Sequence, residues 1–203
     1  MGKKKLPYKE GDWFGVPLED GGYAVGLIAR SRRGGKALFG YFFGPRRSRL
    51  PNLNDIRDLT MADAILIGRF GDLGLYTGEW PIIGHSEPWD RNAWPMLPLI
   101  RVDEFSKKAW KVEYSEDDPS LIVQETPCDA KEAYRFPRDR AMGSGAVELR
   151  LMKLFSSSSQ KEEGGPVGSP PIPQSRSRAH AGRKARIGDA GRRMRESGSG
   201  LET

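Results

Sequence analysis

Two residues with nucleophilic or basic chemistry stand out before the C-terminal region, a cysteine at position 128 and a histidine at position 85. A cysteine nucleophile requires a base within hydrogen-bond reach, and histidine commonly serves as that base. The flanking sequence Thr126-Pro127-Cys128-Asp129 predicts no helix N-terminus at the thiol that would favour the thiolate. A half-buried structural cysteine is therefore the favoured interpretation, and an enzyme that uses Cys128 with His85 is the alternative.

Three further segments resemble functional motifs only in part. Residues 143–145 (Gly-Ser-Gly) lack the strand–turn–helix context of a hydrolase serine. Residues 116–118 (Glu-Asp-Asp) lack the alternate spacing of a calcium loop, and residues 33–36 (Arg-Gly-Gly-Lys) lack the first glycine of a phosphate-binding loop. One cysteine and one histidine cannot supply the ligands of a zinc site. The sequence therefore predicts a protein that is not an enzyme, with no catalytic residue, no metal and no cofactor.

Two basic loops, residues 30–36 and 46–49, flank an aromatic strand that contains Phe39, Tyr41 and Phe43. Basic loops beside exposed aromatic rings are typical of surfaces that bind single-stranded nucleic acid. The opposing interpretation, which we favour, is that the rings belong to the core and the arginines are solvated at hairpin tips. A small-barrel protein that binds nucleic acid or has a regulatory role is the alternative function.

The composition changes sharply along the chain. All tryptophan, tyrosine and phenylalanine residues lie at or before Phe155, whereas residues 156–203 are mostly Ser, Gly, Pro, Arg and Glu. Nine basic and five acidic residues give that segment a charge of +4, which leaves +2 for residues 1–155. A segment without apolar surface to bury cannot offset the entropy of ordering its backbone. We therefore predict a near-neutral domain over residues 1–155 and a disordered basic tail over residues 156–203, suited at most to non-specific contact with nucleic acid.

The sequence also predicts a cellular compartment. Cys128 is the single cysteine, so no intramolecular disulfide can form and a reducing compartment is expected. The lysines at residues 3–5 are followed by no apolar segment of the kind found in a secretory signal, and proline and charge interrupt each apolar run well short of a membrane span. We expect a cytoplasmic protein without a membrane partner.

Alternating apolar residues and turn signals predict a domain built mainly of strands. The Asp-Gly pair at residues 20–21 predicts a hairpin turn, and short helices are predicted at residues 53–59, where Asn52 can cap, and at residues 129–135. The predicted strands are residues 13–18, 23–29, 38–43, 64–67 (buried on both faces), 75–76 with 79–83, 110–114, 121–123 and 147–151, and residues 84–100 are predicted to form an ordered loop. The expected fold class is α+β, β-dominant: a curled antiparallel sheet or a small barrel-like N-terminal half, with one or two short helices.

Several motifs resemble a known family when they are taken in order. Residues 8–14 (Tyr-Lys-Glu-Gly-Asp-Trp-Phe) and 16–26 (Val-Pro-Leu-Glu-Asp-Gly-Gly-Tyr-Ala-Val-Gly) resemble the opening of immunity protein family 26 of bacterial polymorphic toxin–immunity systems. Residues 40–45 (Gly-Tyr-Phe-Phe-Gly-Pro) resemble the strand that follows in that family. Residues 69–74 (Arg-Phe-Gly-Asp-Leu-Gly) and 78–84 (Gly-Glu-Trp-Pro-Ile-Ile-Gly) resemble its middle.

The resemblance extends over about residues 8–155 and implies a small non-enzymatic inhibitor. A protein of this kind is encoded beside a toxin, and it binds and neutralises that toxin inside the producing cell; no catalytic residue carries over. Interface anchors are commonly large aromatic or charged side chains. The partner-binding candidates on loops are Asp72, Glu79, Trp89, Asp90 and Trp94. The opposing interpretation is core packing for the two tryptophans, and a turn or a helix cap for Asp90.

Overall fold

A computed structural model describes residues 6–159, and its first two strands form the hairpin that the sequence predicts. β1 (Asp12–Pro17) pairs antiparallel with β2 (Tyr23–Ser31). Gly21 and Gly22 in the turn have φ of 94° and 77°, angles that residues with a Cβ seldom adopt. The prediction of a turn built on these glycines is confirmed.

Three more strands extend this hairpin into an antiparallel sheet. β3 (Ala37–Arg47) pairs with β2, β4 (Ala64–Gly71) pairs with β3, and β5 (Ile82–His85) pairs with the other side of β1. β4 was predicted to be buried on both faces, but Ile65 is 39% exposed while Leu66 is buried, so burial alternates along the strand.

A second, smaller sheet follows the long loop. β6 (Leu99–Val102), β7 (Ala109–Ser115) and β8 (Asp118–Cys128) form three antiparallel strands in that order. The predicted strands at residues 110–114 and 121–123 lie within β7 and β8. β6 begins within the last two residues of the segment 84–100, which was predicted to be an ordered loop, and continues beyond it.

A last short strand returns the chain to the first sheet. β9 (Ala141–Met142) pairs parallel with β4, which gives the strand order β5-β1-β2-β3-β4-β9. β5 and β9 are separate edges, so the sheet is open. Of the two predicted forms, the structure is the open sheet rather than a barrel.

The helices are short apart from the last one. α1 (Leu73–Thr77) and α2 (Ala130–Ala133) are single turns, and α3 is Ser144–Ser159. Two 3₁₀ turns occur at Leu53–Asp55 and Met61–Asp63. None of the helices within residues 6–159 is long and apolar enough to cross a membrane.

The six-stranded sheet is covered on both faces. On one face, helices α1 and α3 pack over the strands, and Phe14 stacks on Trp80 with ring centres 5.5 Å apart and planes 4° from parallel. This first core consists mainly of Phe14, Val16, Leu18, Ile28, Phe42, Phe70, Leu75, Trp80, Val147 and Leu151. On the other face lies the three-stranded sheet with the loop before it. The second core consists mainly of Trp13, Val25, Leu27, Phe39, Tyr41, Phe43, Ile56, Trp94, Leu99, Val112 and Tyr114.

A buried carboxylate joins the two sheets. Asp139, whose side chain is 3% exposed, accepts hydrogen bonds from Arg69 of β4 at 2.7 Å and from Arg101 of β6 at 3.2 Å. The hydroxyl of Tyr114 on β7 donates to the same carboxylate at 2.9 Å, and the Arg69 guanidinium lies 4.0 Å from the centre of the Tyr114 ring. A polar group is costly to bury without such partners, so this cluster fixes the position of the small sheet on the large one.

The predicted final strand at residues 147–151 is wrong, because these residues lie within α3. Alternation over five residues suggested a strand. Val147 and Leu151 are both fully buried four residues apart, whereas Leu149 between them is 52% exposed. Spacing of three or four residues is the helical period, and the partly buried Leu154 and Phe155 continue it.

The predicted strand at residues 75–76 is also wrong. Leu75 and Tyr76 lie on α1, which ends at Thr77 and is capped by Gly78 in the left-handed conformation. A Cβ on Gly74 would come within 2.7 Å of the Trp80 ring, so only glycine lets this turn fold closely over the indole.

Both predicted short helices are present, although they are shorter than expected. Asn52 caps the first 3₁₀ turn together with Asp55, and Asp129 caps α2 by accepting from the backbone of Glu132 at 2.7 Å. α3 continues four residues beyond Phe155, the predicted end of the domain. The rest of the predicted tail, from residue 160 onward, lies outside the described residues.

Candidate functional site

A groove of about 570 Å³ opens beside the second core. One wall is the segment that contains both 3₁₀ turns, and the other is the loop that follows β5. Its floor includes the rings of Trp13 and Trp94, and its rim carries polar side chains. The lining residues are Trp13, Leu53, Asn54, Ile56, Arg57, Leu59, Thr60, Met61, His85, Ser86, Glu87, Pro88, Ala93 and Trp94.

Capping interactions shape the first wall. Asn52 Oδ1 accepts from the backbone of Asn54 at 2.9 Å, and Asp55 returns a bond by accepting from the backbone of Asn52 at 3.0 Å. Thr60 repeats the arrangement with Asp63, whose carboxylate accepts from both the backbone and the hydroxyl of Thr60 at 2.7 Å. These bonds lower the pKa of Asp63. The reciprocal cap at Asn52 and the two bonds from Thr60 to Asp63 fix a short segment that has little regular structure of its own.

Side chains of β1 hold the second wall. The Trp13 indole donates to Ser86 Oγ at 2.8 Å. His85 Nδ1 lies 2.9 Å from Asp12 Oδ1, and the other Asp12 oxygen accepts from the backbone of Lys9 at 2.7 Å. Asp12 is buried, and the His85 side chain is 21% exposed. The carboxylate therefore orients the imidazole at the edge of the groove.

His85 and Cys128 make different sets of contacts, and no hydrogen bond joins them within residues 6–159. Cys128 is the last residue of β8, where partial burial and the charges of Glu132 and Asp129 raise the pKa of its thiol. A raised thiol pKa means less thiolate at neutral pH, which is the opposite of what a cysteine nucleophile requires.

Trp89 packs beneath the start of β1. Its ring carbons would lie 3.0 Å from a Cβ placed on Gly11, which has φ of 84°. Gly11 is therefore needed both for its backbone angle and for the space that the indole occupies. Trp89 is half-buried against the second core, and its indole nitrogen is buried without a hydrogen-bond partner among the described residues.

The other two candidates on this loop differ in exposure. Asp90 is exposed and accepts from the backbone of Asn92 at 2.8 Å, which is the turn interaction that the opposing interpretation expects. Trp94 is 8% exposed and packs edge-on against Tyr41, Trp13 and Phe43 with ring centres 5.3, 5.6 and 5.9 Å away. Only a small part of the Trp94 ring reaches the groove.

The structure places Asp72 and Glu79 near α1, on a different segment from the tryptophan loop. Asp72 is half-buried, and its Oδ2 accepts from the Tyr8 hydroxyl at 2.7 Å and from the backbone of Lys36 at 2.9 Å. Burial and this bond to Asp72 raise the pKa of Tyr8. Glu79 is exposed, and its carboxylate has no hydrogen-bond partner within residues 6–159. Asp72 therefore supports the turn between β2 and β3, whereas Glu79 is free to contact a partner.

The two basic loops do not flank an exposed aromatic surface. Arg30 is 2% exposed; it pairs with Glu116 and donates to the carbonyl of Trp94 at 3.0 Å. Arg32 pairs with Asp118 at 3.3 Å. The aromatic side chains between the loops are fully buried, so no base can stack on them; they are Phe39, Tyr41, Phe42 and Phe43.

Sequence reasoning missed the first wall of the groove, including Asn54, Arg57 and Thr60. The signal was present, because Asn52 with Asp55 and Thr60 with Asp63 have the same cap spacing. Only the first cap entered the prediction, and the long-range contacts that place this segment opposite the loop after β5 have no local signature.

Comparison with known proteins agrees with the family resemblance that the sequence motifs indicate. A family model described as Immunity protein 26 matches residues 9–111, which is just over half of the chain and includes every residue that lines the groove. No curated protein and no solved structure matches the chain. The family match and the ordered motifs from β1 to β5 lead to the same assignment: the chain belongs to immunity protein family 26.

Proposed function

We propose that this protein neutralises a cognate bacterial toxin by binding it directly in the cytoplasm of the producing cell and covering its active surface. The observation that carries the proposal is the position of the groove. It lies wholly within the part of the chain that matches the family, and it combines an apolar floor with a polar, exposed rim. Protein interfaces commonly have this arrangement of an apolar centre surrounded by polar groups.

The proposed mechanism is occlusion by a rigid surface. Both walls of the groove are loops fixed by caps and by hydrogen bonds to β1, which suits a surface that binds without reorganising. The volume is sufficient for one or two side chains of a partner. Within this groove the Trp94 edge and the rim residues Glu87 and Arg57 are the proposed contacts, together with Trp89 and Asp90 on the adjoining loop. Glu79 is a separate, peripheral candidate.

Expression of this protein together with the toxin encoded beside it tests the function. Cells that produce both should grow, and the two proteins should co-purify as a complex. If the wild-type protein neither restores growth nor binds the toxin, the proposed function is wrong.

Filling the groove tests its assignment. Ala93 is exposed on the groove wall, and Ala93→Phe would place a ring in the space that a partner side chain occupies. Affinity for the toxin should fall by about tenfold or more, mainly through faster dissociation. Ala146→Phe is the matched control, because Ala146 is an exposed alanine on α3 outside the groove. Equal affinity of the two variants would place the interface elsewhere.

A further inference from the structure

A second cleft, of about 250 Å³, lies where β4 meets the segment before β9. Its rim carries four arginines, Arg135, Arg138, Arg140 and Arg150, and all four are exposed. Its floor is aliphatic and includes Ile65, Ile67, Leu97 and Met142. The cleft differs from the groove described above in its lining, its charge and its position.

The backbone explains how two of the arginines come to face the same way. Residues 137–139 run beside β6, where the Ile100 amide donates to the Pro137 carbonyl and the Asp139 amide donates to the Ile100 carbonyl, both at 2.7 Å. Neighbouring side chains of an extended segment point to opposite sides. Asp139 therefore turns inward to the buried cluster, and Arg138 and Arg140 turn outward to the cleft.

No acidic side chain neutralises these arginines within residues 6–159. None of the four forms an ion pair there, although arginines elsewhere, such as Arg32, Arg46 and Arg91, do. Asp139 is bonded to Arg69 and Arg101. Glu148 accepts a hydrogen bond from the Trp80 indole at 2.9 Å. Because residues two apart on a helix do not face each other, Glu148 does not pair with Arg150. The cleft is locally cationic in a domain that is nearly neutral overall.

The chemistry of the lining indicates what the cleft accepts. Guanidinium groups form paired hydrogen bonds with carboxylates or phosphates. The lining contains no aromatic ring on which a base could stack. The aliphatic floor instead matches an aliphatic side chain, and the volume is sufficient to hold one.

We infer that this cleft is a binding site for an acidic segment of a protein partner, in which an aliphatic residue enters the cleft and flanking carboxylates pair with the four arginines. The site does not depend on the proposed toxin-binding groove. Its four arginines lie beyond the part of the chain that the family model matches, whereas the floor residues Ile65, Ile67 and Leu97 lie within that part.

A labelled synthetic peptide with one leucine between two pairs of glutamates serves as the probe. We expect the peptide to shift the methyl NMR signals of Ile65, Ile67, Leu97 and Met142, and to bind more weakly as the salt concentration rises. Replacing its leucine with serine, or its glutamates with glutamines, should each weaken binding by about tenfold. If the glutamine peptide binds as tightly as the acidic one, or if no methyl signal moves, the inference is wrong.

Charge-removing variants of the protein complete the test. Changing the four arginines together to glutamine should weaken peptide binding by about tenfold or more, because each loses its charge on the exposed rim. Arg33→Gln combined with Arg49→Gln is the control for charge loss outside the cleft, since both are exposed arginines without an ion pair in the described part of the chain. It removes half as many charges as the four-arginine variant and should change affinity by less than about twofold. A short oligothymidylate provides the second arm. Binding of the oligonucleotide tighter than that of the peptide, with the same methyl shifts, would assign the cleft to nucleic acid and overturn the inference.

Discussion

The two sheets of this protein differ in how completely they are covered. The six-stranded sheet is packed on one face by helices and on the other by the small sheet, and Phe14, Phe42 and Phe39 are fully buried. Within residues 6–159 the small sheet is packed on one face only, and its edge strand β8 leaves Leu121 56% and Val123 59% exposed. The large sheet also lies mostly within the part that matches the family, whereas β8 lies beyond it. The difference indicates that the large sheet supplies stability and that the small sheet is a surface layer attached to it.

Removing a ring from the large sheet should have the largest effect. Phe14 contacts Trp80, Phe42 and Phe70 and fills the space above Gly26, where a Cβ would lie 2.2 Å from the ring. Phe14→Ala should lower the free energy of unfolding by about 4 kcal/mol, since it creates a large cavity. Urea denaturation followed by tryptophan fluorescence measures this loss. A loss below about 1 kcal/mol would contradict the assignment of stability to this sheet.

Breaking the junction between the sheets should have the next largest effect. Asp139→Ala leaves Arg69, whose side chain is 17% exposed, without its carboxylate partner. Loss of one partner of a buried charged pair costs about 3 kcal/mol, so urea should unfold the variant earlier. If the small sheet is a separate layer, its amide protons should exchange faster in Asp139→Ala while those of β2 and β3 stay protected. Equal acceleration in both sheets would show that they unfold as one unit.

The bond between Tyr8 and Asp72 should contribute a smaller, pH-dependent part of the stability of the large sheet. The Tyr8 hydroxyl donates to Asp72, and Tyr8→Phe should cost about 1–2 kcal/mol near neutral pH. Burial and Asp72 raise the pKa of Tyr8 above its unfolded value of 10.0, so the folded state favours the neutral phenol. This contribution is complete below pH 10 and is lost as pH rises toward the pKa of the folded state. The stability difference between wild type and Tyr8→Phe should therefore shrink at alkaline pH, and a constant difference would contradict the cause given for the shift.

Polar substitution on the exposed edge strand should have the smallest effect. Leu121→Ser and Val123→Thr remove apolar groups that remain largely in water, so each should change the free energy of unfolding by less than about 0.5 kcal/mol. The same urea experiment measures both. A loss of about 2 kcal/mol or more would show that β8 is packed in solution.

Local sequence signals predicted the large sheet better than the surfaces that surround it. The alternation of Phe14 and Val16 against Val25 and Leu27, with glycines between them, specifies a hairpin and its two faces from a few adjacent residues. The alternation of residues 147–151 led to the wrong prediction of a strand, because the helical spacing of Val147, Leu151 and Phe155 becomes visible only in a longer window. The surfaces depend on contacts between distant segments. Nothing near Trp89 in the sequence shows that Gly11 lies against it, and nothing near Arg150 shows that it shares a cleft with Arg138.

Titration of toxin activity with this protein tests most directly the claim that it acts as a binder. The toxin is mixed with increasing amounts of the protein, and its remaining activity is measured after short and long incubation. Direct occlusion predicts that inhibition is complete at a fixed molar ratio and does not increase with time, and that folded Cys128→Ala gives the same end point. His85→Ala, at the edge of the groove, should lower the affinity without making inhibition depend on time. Progressive loss of toxin activity at a large molar excess of toxin, abolished by either substitution, would contradict the account and show that the protein inactivates the toxin catalytically.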